Sequence, residues 1–111
     1  MRTTTKHIES LIKQLNELTH NPTESNYLLT TNQGRKLCWN VGNYHLISAY
    51  GGYNLAQVVN NDGGITEPIY GGYVSKRELY NKLTAYTNGV RVGIKVFCIQ
   101  NNLKQSEVNN G

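Results

Sequence analysis

Residues 4–20, TTKHIESLIKQLNELTH, place Ile8, Leu11, Ile12, Leu15 and Leu18 at helical spacing. Lys6, Glu9, Lys13, Gln14 and Glu17 take the opposite face, so the segment reads as an amphipathic helix. Its apolar stripe has to be covered, either by a sheet of the same chain or by the same stripe of a second copy. A threonine near the start supplies a cap. Asn21-Pro22 is expected to end the helix, because the residue before a proline is pushed out of the helical region.

Beyond the link HNPTESN the period of the pattern changes. NYLLTT and KLCWNV read as strands joined by a hairpin loop, Asn32-Gln33-Gly34-Arg35. Gly42-Asn43 forms a second tight turn into YHLISAY, which predicts a three-stranded antiparallel meander over roughly residues 26–50. In NLAQVVNN (54–61), Leu55, Val58 and Val59 share one helical face, and a short helix is expected there, although two adjacent valines also suit a strand. GITEPIY is extended or loop, with Pro68 confining any strand to a sheet edge.

Ser75-Lys76-Arg77-Glu78 has the form of a capping box, with Val74 and Leu79 placed as a hydrophobic staple. These residues predict a helix over 75–88, stopped by Asn88-Gly89. VRVGIKVFCI then alternates: Val90, Val92, Ile94, Val96 and Cys98 point one way, and Arg91, Gly93, Lys95 and Phe97 the other, as in a half-buried strand. Residues 101–111 are expected to be a flexible tail. The expectation is one α+β domain over residues 1–100, with a mainly antiparallel sheet of about four strands and two to three helices on one face.

Composition limits function more than fold. The 111 residues leave room for one domain, and a hydrophobic fraction of 38% with a charged fraction of 16% gives it a modest core, which oligomerisation would supplement. A net charge of +4 permits a polyanionic partner without demanding one. No leader-like or membrane-spanning apolar run occurs, so the cytoplasm is expected and no membrane partner. Cys38 and Cys98, each in an apolar run without CxxC spacing, read as reduced buried thiols. The histidines are His7, His20 and His45, and no HExxH or GxSxG string is present. Cys38 and His45 fall on different cross-strand pairs of the expected meander, which argues against a dyad. No catalytic residue, metal ligand or cofactor motif is identified.

One tetrapeptide occurs twice, twenty residues apart: Tyr50-Gly51-Gly52-Tyr53 and Tyr70-Gly71-Gly72-Tyr73. Each is expected to form a corner just ahead of a helix, where the glycines bend the backbone and the tyrosines either pack over the bend or stand free. Standing free, they would grip a protein partner, or stack on bases while Lys76 and Arg77 meet phosphate. A P-loop and a dinucleotide fingerprint are both absent. Lys76 and Arg77 oppose the dipole of the helix they begin, which suits either plain solvation or an acidic partner. Arg91 and Lys95 on the expected last strand would extend this into a secondary basic patch.

The stretch GNYHLISAYGGYNL…NNDGGI…GGYVSKRELYNKLTAYTNGV, about residues 42–90, resembles a family of short proteins encoded by bacteriophages and mobile elements. In that family a YHL…AYGG segment precedes a GYVSKRELYN-like helix. The resemblance implies an accessory role, such as modulation of a host protein or service in phage replication, and supplies no activity or cofactor. The sequence is therefore read as a small non-enzymatic binding protein whose partner is a host or phage protein. Its candidate surface is the two YGGY segments with Lys76 and Arg77. The alternatives are single-stranded nucleic-acid or nucleotide binding through the same residues, or a small enzyme with an unrecognised site. A homo-oligomer would use the Ile8, Leu11, Ile12, Leu15 and Leu18 stripe.

Overall fold

The computed structural model describes residues 2–109, with side chains through Asn101. Helix α1 spans Thr5–Leu18, and Thr4 caps it reciprocally: Thr4 Oγ1 accepts the His7 amide at 3.4 Å while His7 Nδ1 accepts the Thr4 amide at 3.1 Å. Thr19 and His20 end it, ahead of Asn21-Pro22. His20 turns left-handed (φ 57°), and the Asn21 amide reaches back to the Asn16 carbonyl at 2.9 Å.

Strands β1 (Asn26–Thr31) and β2 (Gly34–Trp39) form the expected hairpin, closed at Thr31 opposite Gly34. Strands β3 (Tyr44–Ala49), β4 (Gly52–Val58) and β5 (Ile65–Thr66) form a second antiparallel sheet in that order. The three-stranded meander over 26–50 is thus divided between two sheets. Backbone donors between β2 and β3 are taken by other partners: Trp39 by Asn61, Asn40 by Ser25 and Gly42 by Val58. Cys38 and His45 consequently stand on strands of separate sheets.

Two further expectations give way to pairing. NLAQVVNN supplies most of β4 rather than a helix. As the middle strand it buries Leu55 on one face and Asn54, Ala56 and Val58 on the other, which a one-faced helix could not do. VRVGIKVFCI is helical, since α2 runs through Asn88-Gly89 from Lys76 to Asn109. Among the described residues no strand pairs with this stretch, and a helix satisfies its backbone groups internally. The two-residue alternation then matches no helical face. Val92, Val96, Phe97 and Ile99 are exposed, as is Cys98, whereas Cys38 is buried. The helix also occupies 101–109, where a tail was expected; residues 110 and 111 lie outside the described residues.

The α+β class holds, and both helices pack on the face of the three-stranded sheet that carries Tyr44 and Leu55. Ile8, Ile12 and Leu15 of α1 meet Tyr44 and Leu55 of the three-stranded sheet and Leu79 and Leu83 of α2. Ile8, Ile12 and Leu15 of the α1 stripe are therefore covered inside their own chain, with Leu11 packed against them. Asn16, also buried, accepts the Tyr44 amide at 2.8 Å on Oδ1 and donates Nδ2 to the Tyr44 carbonyl at 3.0 Å. No described helix is long and apolar enough to cross a membrane.

His45 lies half-buried on β3, its ring 6.2 Å from that of Trp39 and its Nδ1 3.2 Å from Asn43 Oδ1. Burial lowers its pKa below the ordinary 6.5. The unfolded chain therefore binds this proton more readily than the folded one. The contribution of His45 to stability is complete above about pH 6.5 and is lost as the pH falls from there through the folded pKa. Denaturant titrations across this range should show that loss in the wild type and a smaller one in His45→Gln; equal pH dependence would contradict the assignment.

Candidate functional site

The first YGGY segment does not precede a helix. Tyr50 (φ 53°) and Gly51 (φ 74°) are the two central residues of the β3–β4 hairpin, between the paired Ala49 and Gly52. Such a two-residue loop needs positive φ at both positions, which is why Asn-Gly usually fills it. Here a tyrosine occupies the first position, with a Cβ that resists the left-handed region by about 1–2 kcal/mol. The residue is 96% exposed, so packing of its ring recovers little of that strain.

The second segment does lead into α2. Gly71 (φ 124°) and Gly72 (φ 73°) bend the chain, and Tyr53 then pairs with Val74, amide to carbonyl in both directions at 2.7 and 2.9 Å. This pairing joins the two segments. A Cβ on Gly52 would stand 2.9 Å from the Tyr73 carbonyl carbon and 3.0 Å from the Val74 nitrogen, so only glycine permits the approach. Immediately afterwards Ser75 Oγ accepts the Glu78 amide at 3.2 Å and starts the helix.

The result is one tyrosine corner. The Tyr50 and Tyr73 rings meet edge to face at 5.8 Å. Lys76 Nζ lies 5.4 Å from the centroid of the Tyr53 ring, within cation–π range. Tyr70 is 99% exposed, and its carbonyl accepts Lys82 Nζ at 3.4 Å. An open hollow of about 520 Å³ lies beside it, lined by Glu67, Ile69, Tyr70, Gly71 and Gly72. Tyr50 at the corner and Tyr70 by the hollow present exposed phenol rings, while the ammonium groups lie against the Tyr53 ring and the Tyr70 carbonyl; phenols and ammonium groups suit aromatic, carboxylate or phosphate groups.

The other candidate residues are placed differently. Arg77 lines a separate depression of about 200 Å³ with Arg2, His7 and Tyr80. Arg91 and Lys95 are exposed on α2 rather than on a strand, and Arg91 Nη1 donates to Asn88 Oδ1 at 3.1 Å. Lys82 was not singled out from the sequence. Its only signal there is position, about two turns into the helix, and the loop that brings Tyr70 back to it has no local signature. Comparison with protein-family models, curated proteins and solved structures finds no match for this chain.

Tyr50→Asn should restore the residue favoured in this turn and raise the unfolding free energy by about 1 kcal/mol. Chemical denaturation of the two proteins checks this. Unchanged or lower stability would mean that the ring contact with Tyr73 outweighs the backbone strain.

Proposed function

We propose that this chain is a small non-enzymatic binding protein whose tyrosine corner docks a protein partner bearing acidic and aromatic side chains. The observation that carries this reading is Tyr50, a bulky residue in a left-handed turn with its ring in solvent. Apart from its edge contact with Tyr73 the exposed ring returns little to the fold for that strain, so the ring is kept for contact. Tyrosine supplies large contact area with few rotatable bonds, and the ammonium groups of Lys76 by the Tyr53 ring and Lys82 by the Tyr70 carbonyl favour a partner bearing carboxylates. The phage or mobile-element resemblance of residues 42–90 supports an accessory role, with a host or phage protein as partner in the host cytoplasm.

A random peptide library panned against the wild type should enrich sequences rich in acidic and aromatic residues. Those peptides should bind Tyr50→Asn/Tyr70→Ser roughly tenfold more weakly, with the fold intact by circular dichroism. No enrichment, or equal binding by the variant, would contradict the reading. Saturable binding of single-stranded oligonucleotides that weakens steeply with salt and is lost in the same variant would assign the corner to nucleic acid instead.

A further inference from the structure

The outer edge of β3 is open along half its length, and its hydrogen-bonding direction follows from three contacts. Asn16 holds both backbone groups of Tyr44 from outside the sheet. The amide of Leu55, which faces Leu46, points away from β3 to Asn54 Oδ1 at 2.8 Å. Tyr53, which faces Ser48, spends its amide and carbonyl on Val74. In an antiparallel pair, two facing residues either exchange bonds with each other or both direct their groups outward. Tyr44, Leu46 and Ser48 therefore direct theirs away from β4, and β3 is the end strand of its sheet.

The planar amide of Asn16 treats Tyr44 as a neighbouring strand would, donating once and accepting once. Beyond it, the amides and carbonyls of Leu46 and Ser48 continue the same row toward Tyr50. A groove of about 550 Å³ lies beside the Tyr44–Leu46 part of this edge between α1 and the 23–25 loop, lined on its apolar side by Ile12 and Leu46 and also by Glu9, Lys13 and Glu24. Glu9 and Lys13 lie one helical turn apart and offset each other, which leaves Glu24 as an acidic spot on a chain of net charge +4.

We propose that the outer edge of β3 is a docking strand for an extended peptide segment of a partner protein in which apolar residues alternate with lysine or arginine. The segment extends the sheet by main-chain bonds to Leu46 and Ser48. Its apolar side chains lie toward Ile12 and Leu46, and a cation meets Glu24. Asn16 sets the register by blocking pairing at Tyr44. This inference stands apart from the tyrosine corner, because the groove and the corner share no residue.

The test uses the isotopically labelled full chain and the acetylated peptide Val-Lys-Val-Thr-Val-Lys-Val, followed by amide chemical shifts. Saturable shifts largest at Leu46 and Ser48 are expected. Ser48→Pro removes an outward amide without taking a donor from the β3–β4 ladder, and should weaken binding roughly tenfold. Glu24→Lys should weaken it about threefold or more, and keeps the test decisive should the proline disturb the hairpin. No shifts at millimolar peptide, shifts confined to Tyr50 and Tyr70, or unchanged affinity in both variants would overturn the proposal; the second outcome would place peptide binding at the tyrosine corner alone.

Discussion

The contact on which the remaining structure depends is the approach of Gly52 to the backbone of Tyr73 and Val74. It lies where β4 leaves the hairpin turn, and a single methyl group there would stand 2.9 Å from a carbonyl carbon. Because that space is free, Tyr53 and Val74 exchange two backbone bonds and the 60–73 excursion is closed against the sheet. α2 then starts where Leu79 and Leu83 drop between α1 and the sheet. Loop closure costs entropy that grows slowly with length, and this pairing together with the short β4–β5 ladder closes the loop.

The same contact turns a repeated tetrapeptide into a surface. Each YGGY segment alone is a bend with tyrosines attached; joined, they set Tyr50 beside Tyr73 and Lys76 beside Tyr53. The glycines do unlike work in the two copies. In the first, Gly51 completes a hairpin turn and Gly52 admits a neighbouring backbone; in the second, Gly71 and Gly72 bend a loop, with the Lys82 ammonium close against Gly71. The textual repeat is therefore not a structural repeat, since one copy turns β3 into β4 and the other precedes a helix.

What the sequence made legible is what is decided locally. The α1 stripe, the threonine cap, the Gly34 hairpin and the Ser75 cap all depend on residues within a few positions of each other, and all are present. What it concealed is decided by distant partners. Leu55, Val58 and Val59 fit a helix until β3 and β5 are placed on either side of them. Val90 to Cys98 alternate like a strand, yet a strand without a neighbour leaves its amides bare. Asn16 belongs to neither the apolar stripe nor the polar face read from the sequence, and only the arrival of Tyr44 makes it a buried anchor. The candidate surface was legible as residues but not as a place: Tyr50, Tyr53, Tyr73 and Lys76 converge, whereas Arg77 faces another depression and Arg91 and Lys95 sit on a helix.

The central claim is that the two YGGY segments form one corner with Tyr50 held left-handed at its tip. A nuclear Overhauser spectrum of the full chain tests it most directly. The account requires cross-peaks between the Tyr50 and Tyr73 ring protons, between the backbones of Tyr53 and Val74, and a strong contact between the amide and α protons of Tyr50 itself. Cross-peaks placing Tyr50 in extended backbone, with none linking Tyr53 to Val74, would contradict it.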